Sequence, residues 1–157
     1  MSEVAPLRML EGTVKSEWID YNGHMSEAFY VLAMCLATDE LMELIGIGPA
    51  YREKERGTIY TLESHIVYLL EISEGEPYYV TTRVIKADRK RIHILHSMHH
   101  KESDDLLATL EQILLHVDMN GPKASPFPLA ADEKLQEIAA AHAKLPHSEQ
   151  VGRAIKL

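Results

Sequence analysis

The pattern of apolar and polar positions changes its period once along the chain, and this change predicts the order of the elements. Residues Ser26 to Ile45 contain no Gly or Pro, and their apolar residues recur at helical spacing around most of the circumference. Such a pattern is typical of a buried helix. From Thr58 onward the period becomes two, which indicates strands. The chain therefore predicts one long buried helix followed by a sheet.

Turn-forming residues divide the second part of the chain into four predicted strands, which cover residues 58–72, 78–87, 92–100 and 106–118. A further strand is predicted before the helix, over Glu11 to Ile19, and an Ala-rich surface helix near the end, over Asp132 to Lys144. Within the strand at 58–72, strict alternation places Tyr60 and Tyr68 on one face and Glu63 with His65 on the other.

Four successive strands joined by short turns form an antiparallel meander, and wrapping this sheet around the helix buries both elements. We therefore expect an α+β protein with an antiparallel sheet of about five strands around a long central helix, plus a C-terminal helix. The 157 residues show no repeat and no domain boundary. We expect a single domain over residues 1–157, with a core at about 10–119 and a C-terminal extension at 120–157.

Charge and composition narrow the choice of partners. The 16 basic and 24 acidic residues give a net charge of −8, which disfavours nucleic-acid binding. The N-terminal segment lacks the regions of a signal peptide, and no apolar run is long enough to span a membrane. Cys35, the only cysteine, falls in the predicted helix, where we expect an inert thiol. We expect a cytoplasmic protein that acts on a small molecule and binds neither membranes nor nucleic acid.

The turn before the helix carries the strongest candidate chemistry. Asp20 lies just ahead of the helix N-terminus, where free N–H groups and the helix dipole favour a carboxylate. A carboxylate that attacks a carbonyl or activates water, next to donors for an oxyanion, suits thioester hydrolysis. Structural interpretations stay open: Asp20 as a turn cap, Gly23 as a requirement of the turn, and His24 as a hydrogen-bonding residue.

The segment from Asp20 to Tyr30 resembles the signature of hotdog thioesterases of the 4-hydroxybenzoyl-CoA thioesterase type, approximately D-x-x-G-H-[VM]-N-x-x-x-Y. The residues that match are Asp20, Gly23, His24, Met25 and Tyr30, whereas Ser26 stands where the family usually has Asn. Outside this motif, the segments at 61–65, 114–118 and 125–128 look closest to the betainyl-CoA thioesterases of carnitine degradation.

The resemblance implies a hotdog fold and an activity. In the family, the Asp at the position of Asp20 is the nucleophile or the general base. The reaction implied is hydrolysis of a short polar acyl-CoA, with betainyl-CoA as the leading substrate, to the free acid and coenzyme A. Coenzyme A would enter as part of the substrate, with no separate cofactor. The resemblance also implies a homodimer or a dimer of dimers, with sheets joined and sites at the interface.

Other residues are candidates for the same site. Glu63 is either a second acid–base group, a counter-charge for a cation, or part of an exposed strand face. The turn with Arg89, Lys90 and Arg91 either holds the phosphates of coenzyme A or is simply solvated.

Recognition of a trimethylammonium group would need aromatic faces or a carboxylate. Trp18 is the preferred aromatic residue, because a strand running to Asp20 would place both side chains on one face. Tyr21, Asn22 and Tyr30 complete the expected substrate-binding set. The structural alternative is that most of these aromatic side chains fill the core.

A metal site is not expected from the four histidines of one predicted strand. Alternation directs His96 and His100 to one face and His93 and His99 to the other, so they do not converge. Alternative functions are a non-catalytic acyl-binding or assembly module, and a thioesterase for another short or aromatic acyl group. A hotdog dehydratase would need a His paired with an acid in a different sequence context.

Overall fold

The elements follow one another in the predicted order, with one short helix and one short strand added. The computed structural model describes residues 4–157, so the first three residues of the segment considered for a signal peptide lie outside it. The helices are α1 (Glu27–Leu44), α2 (Pro49–Glu55) and α3 (Leu129–His142). The strands are β1 (Leu7–Thr13), β2 (Gly57–Tyr68), β3 (Pro77–Ala87), β4 (Arg91–His100), β5 (Leu106–Asp118) and β6 (Lys123–Ala124).

A single antiparallel sheet packs against α1. Its strand order is β1-β3-β4-β5-β2, with β6 beside the end of β5. The expected sheet around a central helix is therefore confirmed, as is the C-terminal helix, which begins at Leu129 rather than at Asp132. β1 and β2 are the edge strands, and the 12-residue β2 exposes its outer backbone edge. No helix in residues 4–157 is long and apolar enough to cross a membrane.

α1 is buried on one face only, unlike the helix buried on most sides that the sequence predicted. The side chains that face the sheet are Tyr30, Ala33, Met34, Ala37, Thr38 and Leu41. On another side of the helix, Leu32 is 44% exposed and Leu36 is 41% exposed. One sheet covers only one side of a helix, so these leucines remain as an exposed apolar surface of α1.

The first predicted strand, over Glu11 to Ile19, is wrong at both ends. β1 begins at Leu7 and stops at Thr13, and a 3-10 turn follows at Ser16–Trp18. The chain leaves the sheet because the N–H of Trp18 bonds to the carbonyl of Lys15 and that of Ile19 to the carbonyl of Ser16. The inferred strand face shared by Trp18 and Asp20 therefore does not exist.

β2 also departs from the predicted alternation, because a β-bulge between Thr61 and Glu63 shifts its register. Tyr60 pairs with Leu115 and Glu63 with Ile113, so both side chains lie on the face away from α1. Tyr68 pairs with Ala108 and lies on the helix side. The expected separation of Tyr60 from Glu63 is thus wrong, since one extra residue reverses the alternation.

Candidate active site

Asp20 lies in a tight turn that the backbone closes on itself. The N–H of Asp20 donates to the carbonyl of His24 at 3.0 Å, and the N–H of Gly23 donates to the carbonyl of Asp20 at 3.0 Å. Gly23 adopts a φ of 80°, a left-handed conformation that favours glycine. The Asp20 Oδ1 accepts the N–H of Asn22 at 2.8 Å. This bond fixes the carboxylate, and no other hydrogen bond to it comes from residues 4–157.

The first turn of α1 begins directly after this loop and keeps its backbone donors free of side-chain caps. Ser26 occupies the N-cap position, but its side chain makes no capping hydrogen bond. Its own N–H bonds to the carbonyl of Trp18 at 2.8 Å, and the N–H of Met25 bonds to the carbonyl of Ile72 at 2.9 Å. These bonds hold the Asp20 turn beside a helix end that favours negative charge.

A cleft of about 320 Å³ opens next to this helix end. Two of its lining residues are tyrosines whose rings meet edge to face, with centroids 5.4 Å apart. The hydroxyl of Tyr30 donates to the carbonyl of Leu70 at 3.3 Å, and that of Tyr68 donates to the carbonyl of Glu27 at 3.0 Å. The cleft is lined by Met25, Glu27, Tyr30, Tyr68, Leu69, Leu70 and Glu71.

Burial raises the pKa of Tyr30, and the nearby carboxylates of Glu71 and Asp20 raise that pKa further. Burial also raises the pKa of Tyr68, with a further contribution from Glu27. Both phenols therefore stay protonated and donate their hydrogen bonds. The turn that carries Asp20 leads directly into Met25, which is one of the lining residues of the cleft.

The other candidates of the motif differ widely in exposure. Trp18 is only 6% exposed and stacks on Phe29, with ring centroids 5.5 Å apart and an angle of 13°. Tyr78 packs against the same indole, and Lys15 Nζ lies 5.3 Å from its centroid. The structure thus places Trp18 in the core. By contrast, Tyr21 is 98% exposed and Asn22 is exposed, while His24 is partly buried.

Glu63 is not close to Asp20 within one chain. It lies exposed on the outer face of β2, at a groove shared with His65, His93 and Glu111. Glu63 pairs with Ile113, whereas Tyr68, beside the cleft, pairs with Ala108. The distance from Ile113 to Ala108 along β5 is roughly 17 Å at about 3.4 Å per residue. A role for Glu63 beside Asp20 of the same chain is therefore not supported by the register.

The basic turn lies at the opposite end of the sheet from the Asp20 cleft. Arg91 pairs with Leu115 of β5, and Ala108 at the cleft end of β5 lies roughly 24 Å away along the strand. Arg89 and Lys90 are exposed and form no ion pair with the described residues. Arg91 instead donates to the Asp88 carboxylate through Nε at 2.8 Å and a terminal nitrogen at 2.6 Å. This contact lowers the pKa of Asp88 and partly neutralises Arg91.

The four histidines of β4 divide between the two faces as alternation predicts. His96 is fully buried and bonds through Nε2 to Thr38 of α1 and through Nδ1 to Thr82 of β3, each at 2.8 Å. His93 lies on the other face and bonds to Glu111 at 2.7 Å. His99 stacks on Tyr79. Among residues 4–157, no group of His, Cys, Asp and Glu is arranged to hold a metal ion.

Three residues of the cleft are not predicted from the sequence: Glu27, Tyr68 and Glu71. The pattern places Glu27 in the helix, and it places Tyr68 and Glu71 in a strand that continues to Ile72. In the structure the N–H groups of Leu69 and Leu70 both bond to the carbonyl of Leu107, and the strand ends there. The sequence does carry one signal for this part of the cleft: Tyr68 and Glu71 are separated by two leucines at the end of a strand.

The fold is that of a hotdog protein, because a curled antiparallel sheet packs around one helix. The site has an aspartate in the turn before that helix, an arrangement suited to acyl transfer to water. The chain belongs to the thioesterase-like superfamily, whose family model matches residues 14–140. This finding confirms the resemblance noted from the motif and the expected fold.

Individual relatives extend over nearly the whole chain. A betainyl-CoA thioesterase of Pseudomonas aeruginosa is 42% identical over 157 residues, which cover 100% of this chain and 98% of the relative. An L-carnitine dehydrogenase/betainyl-CoA thioesterase of Rhizobium meliloti is 39% identical over 96% of this chain and 30% of its own length. Among solved structures, a hypothetical protein of Staphylococcus aureus in complex with CoA has a TM-score of 0.90 at 25% identity, covering 100% of this chain and 99% of that protein.

Proposed function

We propose that this protein is an acyl-CoA thioesterase that hydrolyses betainyl-CoA to betaine and coenzyme A. The observation that carries the proposal is the position of Asp20, fixed through Oδ1 beside the uncapped first turn of α1. The full-length similarity to a betainyl-CoA thioesterase supports the choice of substrate.

The arrangement accommodates two chemical routes. In the first, a carboxylate oxygen of Asp20 attacks the thioester carbonyl and expels coenzyme A as its thiolate, and water then hydrolyses the mixed anhydride to the free acid and regenerates Asp20. In the second, Asp20 takes a proton from a water molecule that attacks the carbonyl directly, and the departing thiolate of coenzyme A receives that proton. In both routes the free N–H groups at the start of α1 are suited to stabilise the developing oxyanion.

We propose that the active form contains at least two copies joined through β2. β2 is an edge strand, and its Leu62 is 55% exposed, while α1 exposes Leu32 and Leu36. An open strand edge on a protein with exposed apolar side chains favours association with a second strand.

Antiparallel pairing of two β2 strands about a twofold axis would bring the cleft end of one copy to the basic-turn end of the other. Asp20 of one copy would then act with Arg89 and Lys90 of the second, which one chain alone keeps at opposite ends of its sheet. We further propose that this assembly acts in the cytoplasm.

The direct test is release of free thiol from a panel of short acyl-CoAs, followed with a thiol reagent. Betainyl-CoA is expected to be the best substrate, and Asp20→Asn should abolish most of its turnover. Absence of thiol release from every member of the panel would support the alternative of a non-catalytic acyl-binding module. A preference for an aromatic or uncharged acyl group would retain the thioesterase and reject betainyl-CoA.

A further inference from the structure

We infer that the cleft between the start of α1 and the end of β2 holds the trimethylammonium group of the acyl chain, through the ring of Tyr68 and the carboxylates of Glu71 and Glu27, with the buried Tyr30 supporting the Tyr68 ring. This inference rests on the proposed function, and it names the part of the site that selects the acyl group. It also replaces Trp18, the aromatic residue that the sequence favoured.

A quaternary ammonium group carries no N–H, so ordinary hydrogen bonds cannot recognise it, whereas aromatic surfaces and nearby carboxylates can. The cleft offers both kinds of group. The ring of Tyr68 is an exposed aromatic surface, and the buried Tyr30 ring packs against it at an angle of 85°. Two of the other lining residues are glutamates.

Both phenol hydroxyls are bonded to backbone carbonyls, at Leu70 for Tyr30 and at Glu27 for Tyr68, so neither faces the cleft as a free donor. These bonds tie the rings to the two segments that form the cleft walls. A cation would therefore meet a Tyr68 ring whose orientation is already fixed, and binding would cost little further ordering.

In a betainyl thioester a single methylene separates the cationic nitrogen from the carbonyl carbon, so the cation site must adjoin the catalytic carboxylate. Asp20 lies in the turn that leads into Met25, a lining residue of the cleft, and its N–H bonds to the carbonyl of His24, the residue before Met25. Glu63 does not meet this condition, since it lies on the outer sheet face toward the other end of β2.

Trp18 is excluded because its indole is buried, with Phe29 stacked on it, Tyr78 packed against it and Lys15 Nζ near the ring. A substrate cation would have to displace core side chains and approach a resident ammonium group. Tyr68 requires neither change, because it is 43% exposed and already lines an open space. Tyr30 is buried like Trp18, and it supports the Tyr68 ring from the core side.

The test compares betainyl-CoA with 3,3-dimethylbutanoyl-CoA, in which carbon replaces the quaternary nitrogen and the shape is retained. The measured quantity is the ratio of kcat/KM for the two substrates. In the wild type we expect a preference for the cation of about 5- to 30-fold, the range of a desolvated cation–π contact. We expect Tyr68→Leu to lower the ratio about 5-fold and Glu71→Gln to lower it roughly 3- to 10-fold.

Matched variants separate cation recognition from general damage. Tyr68→Phe keeps the aromatic ring and loses only the bond to Glu27, so it should retain most of the preference. Glu74→Gln removes an exposed carboxylate that lies close in sequence but outside the cleft, and it should leave the ratio unchanged. Because Glu71 is exposed, Glu71→Gln is expected to fold even where Tyr68→Leu does not.

The outcomes distinguish this inference from the proposed function. Wild-type protein that favours betainyl-CoA, together with Tyr68→Leu and Glu71→Gln variants that keep the wild-type ratio, would overturn the cleft and leave the thioesterase intact. Equal wild-type rates on the two substrates would overturn cation recognition altogether. Hydrolysis of neither substrate would overturn the proposed function and this inference with it.

Discussion

The imidazole of His96 joins the central helix to the sheet, because its Nε2 lies 2.8 Å from the hydroxyl oxygen of Thr38. Its other nitrogen, Nδ1, contacts the hydroxyl of Thr82 at the same distance. All three side chains are buried, so each ring nitrogen has a partner in place of water. This buried polar contact fixes α1 relative to β3 and β4, and thereby the helix end that carries the candidate site.

Protonation of His96 should destabilise the fold. Burial lowers its pKa from the ordinary 6.5 to about 3. Between pH 3 and pH 6.5 the unfolded chain therefore binds one more proton at His96 than the folded chain does. The stability contribution of the neutral His96 is lost as pH falls below 6.5. At pH 5 this linkage amounts to about 2 kcal/mol.

His96→Gln should lower the free energy of unfolding at pH 7.5, and the gap from the wild type should narrow by about 2 kcal/mol at pH 5. Urea unfolding at one fixed protein concentration measures this gap. His147→Gln, which changes an exposed histidine of the C-terminal segment, is the control and should show no such change. A gap for His96→Gln that stays constant with pH would contradict the neutral, buried assignment.

Asp20→Asn should keep the fold and lose the chemistry. The amide oxygen of Asn can still accept the N–H of Asn22, so the turn should persist. We expect kcat to fall roughly 100-fold or more, because a neutral amide neither attacks a thioester nor accepts a proton from water. Steady-state thiol release and far-UV circular dichroism measure the two effects. Glu133→Gln, on the exposed side of α3, is the matched carboxylate control. Near-normal turnover by a folded Asp20→Asn variant would remove Asp20 from the mechanism.

The indole of Trp18 should contribute to stability rather than to substrate choice. Trp18→Leu leaves part of the space between Phe29 and Tyr78 unfilled, and we expect a loss of about 2–4 kcal/mol of unfolding free energy. The ratio of kcat/KM for betainyl-CoA and its carbon isostere should stay at the wild-type value. A selective loss of the cationic substrate at unchanged stability would return Trp18 to the binding site.

The sequence predicted what depends on local periodicity and failed where a single residue changes the geometry. The 3.6-residue and two-residue periods located α1 and the meander, and the turn chemistry around Gly23 predicted the turn that carries the candidate site. The bulge before Glu63 has no counterpart in the alternation, yet it moves Tyr60 to the other face. The short 3-10 turn likewise removed Trp18 from the strand to which its β-favouring neighbours assigned it.

The cleft was beyond sequence reasoning for a different reason. Tyr30 and Tyr68 lie in different elements and meet only because the chain leaves β2 at Leu69 and packs along the start of α1. Nothing in the local pattern of either segment records this contact. The exposed leucines of α1 show the same limit, since helical spacing indicates an apolar surface without indicating whether the same chain covers it.

The basic turn should affect substrate affinity and not turnover. Arg89→Gln combined with Lys90→Gln should raise KM for acyl-CoA several-fold, leave kcat nearly unchanged and flatten the dependence of KM on salt. Arg91→Gln alone should have a smaller effect, because Asp88 already holds that guanidinium. The double variant Lys134→Gln with Lys144→Gln on the C-terminal extension is the control for lost positive charge. An unchanged KM for the Arg89 and Lys90 variant would leave this turn merely solvated.

Mixed dimers test whether the Asp20 cleft and the basic turn act across two copies. One parent carries Asp20→Asn, and the other carries Arg89→Gln with Lys90→Gln. If the site combines Asp20 of one copy with the basic turn of the second, a mixed dimer contains one site with both native parts. Refolding the parents together should then raise kcat/KM at low substrate above the average of the parents measured separately, while sedimentation confirms the dimer. If both parts came from one chain, no site would be native and the mixture would show only that average. That result, or a fully active monomer, would reject the shared site. We expect the shared arrangement because roughly 24 Å separates the cleft end from the basic-turn end of one sheet.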